Sequence, residues 1–137
     1  TISSYVLMYS NVYAANSIPI KLQLMGLDPD NLRNVVAFTE KEIETLAEME
    51  HNRWNMEKLL MGFSALTESD RKRLKDALSS EDESVVADAK NENRRLKSKE
   101  FKHKDITPYN DLLEDSKDYD KAIVKRIVEV ERGERKI

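Results

Sequence analysis

At 137 residues the chain has the length of one domain and can bury a sizeable core. Charged side chains make up 36% of it, 23 basic against 26 acidic for a net charge of -3, which argues against a dedicated nucleic-acid or anionic-membrane surface. The absence of cysteine excludes a disulfide frame, a thiol nucleophile and a thiolate metal site, and fits a reducing cytoplasm.

With three glycines, three prolines and little strand-like alternation, the chain reads as all-α with at least four helices. Residues Tyr5 to Met25 are rich in apolar and aromatic side chains and end at Gly26, a helix C-cap. Pro19 either opens a second short helix or kinks one long helix. The turn Asp28-Pro29-Asp30 and one or two helical turns from Asn31 to Phe38 complete an N-terminal helical extension, 1–38. No apolar run is long enough to span a bilayer and no signal-peptide pattern is present, so no membrane insertion is expected. Because it starts at Thr1 and not at methionine, the chain reads as a fragment or processed form of a longer protein, whose upstream content the sequence leaves open.

Thr39 caps the central helix, Glu42 completes a capping box and Gly62 ends it. At about 100° per residue, Leu46, Met49, Met56 and Leu60 fall on one side, with Ile43, Ala47, Trp54 and Met61 widening the apolar arc. That arc should face a core and make this the most buried helix. Glu50, Arg53 and Glu57 lie inside the same arc, so either they pair with one another or a cleft opens there. Lys58, His51, Asn55 and Glu48 follow just beyond Trp54, which places the indole at the boundary of packed and polar faces.

Thr67 with Asp70 starts a helix to about Leu78, and Ser80 with Glu83 repeats the cap signature. From Glu81 to Lys99 the residues are strongly charged, with Val85, Val86, Ala89 and Leu96 as sparse apolar points, so 64–100 is expected to be a charged helical insertion, a solvated arm or hairpin. Its sparse apolar content predicts that Thr67 to Lys99 can be replaced by a short linker. Phe101 to Tyr109 lacks a helical period and carries Pro108, so it reads as an extended loop. Leu112 and Leu113 anchor a short turn. Ser116 caps a last helix, with Tyr119, Ile123, Ile127 and Val130 at helical spacing, and the tail from Gly133 frays.

Two separated segments resemble the RyR domain, the repeat named after ryanodine receptors and found also in bacterial proteins. Glu50-His51-Asn52-Arg53-Trp54, through Lys58 to Gly62-Phe63, is similar to its first half. His103, Ile106, Pro108-Tyr109, Leu112, Glu114, Lys117 and Tyr119-Asp120 are similar to its second half. Two motifs in the right order, covering roughly half the chain, are more specific than either alone. Tyr9-Ser10-Asn11 to Leu22 is similar to the segment preceding the repeat in some bacterial members, sometimes joined to a nucleotide-binding potassium-transport module. The chain departs from the family at Phe63, where Trp is usual, at Lys104, where Pro is usual, and in having Ser64 to Glu100 in place of a short Gly- and Asp-containing link.

The resemblance implies a small helical module of RyR-repeat type in which the tryptophan matching Trp54 helps hold an adenine nucleotide. From the residues alone, Trp54 is either a core tryptophan or a platform for a purine base. His51 and Lys58, one turn away on either side, suit a phosphate or another acidic group, while His51 equally suits a structural bond to a backbone carbonyl or Glu48. Arg53 either closes an intrahelical ion network or meets an anion. The expected ligand-binding set is His51, Arg53, Trp54, Lys58, His103 and Tyr109, with a cleft between the Trp54 face and the His103–Tyr109 loop. Two histidines without metal-ligand spacing, and no phosphate loop or nucleophile elbow, leave no expected catalytic residue, metal or cofactor. The expected function is a non-catalytic ligand-sensing module for a nucleotide-like small molecule, the alternative a protein-interaction or scaffold domain of a larger regulatory or ion-transport protein.

Overall fold

A computed structural model describes residues 2–26 and 38–131, and the side chains of 8–26 and 38–126. The expected turn at Asp28-Pro29-Asp30, the helical turns over 31–37 and the tail from Gly133 lie outside the described residues. The elements in order are α1 (Ile2–Leu24), α2 (Glu40–Leu60), β1 (Ser64–Ala65), α3 (Glu68–Leu78), α4 (Glu83–Lys99), β2 (Lys102–His103), a 3-10 turn (Tyr109–Asp111) and α5 (Glu114–Glu131). The all-α class is therefore correct. The only sheet among the described residues is the two-residue parallel pairing of β1 with β2, Ser64 opposite Lys102 and Ala65 opposite His103.

The chain divides into two compact units, Thr1–Trp54 with Glu114–Ile137, and Asn55–Leu113. In the first unit α1 is one continuous helix with Pro19 inside it, and Gly26 leaves it at φ +76°. Its inward residues are Ile18, Lys21 and Leu22; those of α2 in this unit are Ile43, Leu46, Ala47, Glu50 and His51; α5 contributes Asp120 and Val124. The capping box of α2 is formed as its sequence requires: Glu42 N–H donates to Thr39 Oγ1 at 3.2 Å and Thr39 N–H donates to Glu42 Oε2 at 2.7 Å. In α5 the pattern differs from expectation. The helix begins at Glu114, before Ser116, and Tyr119 is exposed while its neighbour Asp120 is buried. Over the described side chains the buried positions are Asp120, the partner of His51 of α2, and Val124, one residue on from Tyr119 and Ile123; the expected Ile127 and Val130 lie outside the described side chains.

The second unit starts with the end of α2. Phe63 N–H donates to Lys58 C=O and Gly62 N–H to Leu59 C=O, with Gly62 at φ +94°, a Schellman closure that satisfies the last carbonyls. Thr67 caps α3 by accepting from Asp70 N–H. At α4 the capping residue is Asp82, not Ser80: Asp82 accepts from Ser84 N–H, while Ser80 Oγ accepts from Asp82 N–H. The carboxylate next to the helix start is the stronger acceptor and displaces the expected serine. Helices α3 and α4 pack as a hairpin around Leu74, Ala89 and Leu96, against which Leu66, Ala77 and Leu78 are placed. Outside that core, Arg73 grips Glu92 with two bonds of 3.0 and 2.6 Å.

Candidate functional site around Trp54

In the first unit, the charges within the apolar arc of α2 pair, and they recruit a residue from another helix. Glu50 is buried and accepts from Arg53 Nη2 at 2.7 Å and from its Nε at 3.0 and 3.1 Å. Its Oε2 also meets the Lys21 ammonium of α1. Burial by itself would raise the Glu50 pKa, but the bonds from Arg53 and Lys21 outweigh it and hold the carboxyl below its usual range. Burial likewise lowers the Lys21 pKa against the opposing pull of Glu50. Lys21 is the one charged residue in the 23 of α1, the sequence signal that could have identified it as a partner for a buried carboxylate.

His51 is buried, with Nδ1 3.3 Å from Asp120 Oδ2. A carboxylate of α5 is thus a charged neighbour of the imidazole. The imidazole stacks on the Trp54 indole, centroids 5.6 Å apart and 21° from parallel. Trp54 itself is only half-buried. The unit therefore assembles a chain of contacts, Asp120 to His51 to Trp54, that fixes the orientation of an indole still reached by solvent.

The other three expected site residues belong to the second unit. Lys58 places its ammonium 5.6 Å from the centre of the Phe63 ring. The same ring meets Phe101 and His103 edge-on, at centroid distances of 5.7 and 6.4 Å. His103 Nδ1 accepts from Asp105 N–H at 3.2 Å. Burial pushes the imidazole down to about 4, beyond the opposing pull of Asp105 and reinforced by Lys97, Lys104 and Lys58, so the ring is neutral at pH 7. Tyr109 is buried, as are Ile106 and Leu112. Asn55, placed on the polar flank of α2 by its sequence, holds this loop by donating to Thr107 C=O at 3.0 Å.

Two placements on α2 depart from the expected arc. Met56 and Leu60 are exposed, Leu60 at 83%, whereas Glu50 and Glu57 are buried. The inward stripe thus runs through Ile43, Leu46, Ala47, Glu50, His51 and Glu57, and at Glu50 the ion network allows a carboxylate to occupy a position that hydropathy assigns to an aliphatic side chain. Arg71 and Lys75 donate to the Asp111 carbonyl at 3.5 and 3.3 Å beside Lys104, Asp105 and Thr107, a small basic recess that no sequence motif announced. Among the described residues no group of three or more His, Asp or Glu side chains is placed to hold a metal ion, and no helix is long and apolar enough to cross a membrane. No family model, no curated protein and no solved structure matches this chain.

Proposed function

We propose that this chain is a non-catalytic binding module that takes a nucleotide-like ligand by stacking its base on Trp54. The observation that supports it is the use of two buried polar residues, Asp120 and His51, to orient an aromatic ring that is itself left half-buried. A tryptophan serving only as core filling would need no such scaffold, whereas a recognition platform gains affinity when its orientation is set beforehand. The similarity of Glu50 to Trp54 and of His103 to Asp120 to the two halves of the RyR domain supports the same ligand class, and the cysteine-free composition supports a cytoplasmic setting. Because Trp54 is the only tryptophan, its emission reports the site directly. Titration with ATP, ADP and a cyclic nucleotide is expected to quench it saturably and to raise the melting temperature in parallel. A folded protein whose Trp54 emission and melting temperature ignore all three would overturn the reading.

A second reading, a protein-interaction or scaffold domain, draws support from a different observation. The exposed side of α1 carries Met8, Tyr9, Val12, Tyr13, Ile20 and Leu24 and not one charged residue, in a chain whose residues are 36% charged. Patches of that kind mark association surfaces. Concentration-dependent association that a charge placed on this face abolishes is its test; a face that tolerates such a charge with no change in association would count against it.

A further inference from the structure

The outward face of α1 has a pattern that suits one partner in particular. Tyr9, Tyr13, Ile20 and Leu24 follow one another at helical spacing along the side opposite the buried Ile18 and Leu22, with Asn16 in the middle of the same stripe. Tyr9 and Tyr13 stack on each other, centroids 6.2 Å apart. The stripe is symmetric about the Asn16–Ser17 peptide: Tyr9 and Tyr13 precede that peptide by the same intervals at which Leu24 and Ile20 follow it. A two-fold interface requires a surface complementary to itself, in which residue i meets j and j meets i.

We propose that two copies of this chain associate through α1, antiparallel, about a two-fold axis beside Asn16. This deepens the interaction reading and is independent of nucleotide binding at Trp54. In this register Tyr9 of each copy meets the partner's Leu24, and Tyr13 meets the partner's Ile20. Each ring lies on an aliphatic side chain and each aliphatic is covered by a ring. Asn16, next to the axis, meets its own symmetry mate, and a primary amide is self-complementary, with one carbonyl acceptor and two N–H donors. Sliding the helices by one turn would set the amide against Tyr13 or Ile20, desolvated and with no amide opposite, so a single polar residue selects the register as asparagine does in coiled coils. Tyr9, Tyr13, Ile20 and Leu24 are 49 to 72% exposed. Covering them with Asn16 removes roughly 500 Å² from water per copy, or about 1,000 Å² for the pair, the size a specific interface should clear.

The test is sedimentation equilibrium of the chain across a roughly micromolar to submillimolar range, where an interface of this size is expected to show a monomer–dimer equilibrium. Ile20→Glu and Tyr13→Glu should each leave a monomer over the whole range, with an unchanged far-ultraviolet circular dichroism spectrum. The register is read separately, because the chain has no cysteine of its own. Under mild oxidation Tyr13→Cys mixed with Ile20→Cys should cross-link into a heterodimer, well above the yield of either variant alone. A monomer at every concentration, a dimer that Ile20→Glu leaves intact, or monomers that instead partition onto phosphatidylcholine vesicles would overturn the proposal. Cross-linking of Tyr13→Cys with itself in preference to Ile20→Cys would overturn the antiparallel register. Nucleotide titration of Trp54 in folded Ile20→Glu keeps the two readings apart, since that response is expected to be the same in monomer and dimer.

Discussion

The His51 imidazole lies against the Trp54 indole, 5.6 Å between centroids, while its Nδ1 stands 3.3 Å from the Asp120 carboxylate. His51→Leu would keep the volume but leave the buried Asp120 carboxylate without that partner, so it is expected to cost about 2–4 kcal/mol, measured by urea unfolding. It should also shift the Trp54 emission maximum, because the ring that sets the indole's surroundings is gone. Asp120→Asn preserves a hydrogen-bonding side chain and should cost less than half as much.

The Lys21–Glu50–Arg53 cluster predicts a strongly non-additive cycle. Glu50→Gln leaves two cations competing for a neutral amide in a buried setting and is expected to destabilise by about 3–5 kcal/mol. Replacing the Lys21–Glu50 pair together by Met and Leu removes both desolvated charges, and the double variant should be more stable than the sum of the single losses implies. Equilibrium unfolding of the unmodified chain, Lys21→Met, Glu50→Leu and the double variant measures the coupling.

Acidification should destabilise the protein in two stages. His103 stays neutral in the fold down to about 4 whereas an unfolded histidine takes up its proton near 6.5, so the unfolded chain binds more protons in that window and stability falls as pH drops through it. The shift corresponds to about 3 kcal/mol over the whole window. Glu50, whose pKa is depressed, contributes stability above the unfolded carboxylate value of 4.5 that is lost as pH falls through its lower folded value. His103→Gln is expected to flatten the first stage and leave the second, read from melting temperature against pH.

In the α3–α4 hairpin, Leu74→Ala should cost about 2–4 kcal/mol because it empties the fully buried centre of that core. Arg73→Ala removes an ion pair that is bidentate but exposed to solvent and salt, and it should leave the urea midpoint almost unmoved. Replacing Thr67 to Lys99 by a short flexible linker removes Leu74, Ala89 and Leu96 together, so it is expected to leave the unit of α1, the first part of α2 and α5 folded. Unchanged Trp54 emission with a proportionate loss of helical signal would bear this out, and a cooperative collapse of both would refute it.

The signals legible in the amino-acid order act within a few residues of one another. Thr39 with Glu42, Thr67 with Asp70, and Gly62 at the end of α2 were legible because each cap is closed by atoms three to five positions apart, whatever the rest of the chain does. The tertiary structure decided which side of α2 faces inward. Hydropathy ranks Met56 and Leu60 above Glu50 and Glu57, yet the carboxylates are buried, and for Glu50 the reason is Lys21, 29 positions away in sequence. Asp120 is buried while Tyr119 is exposed, and its partner His51 reaches it from another helix. A buried charge is tolerable only beside a counter-charge with the right geometry, and that geometry does not exist until separate helices are brought together.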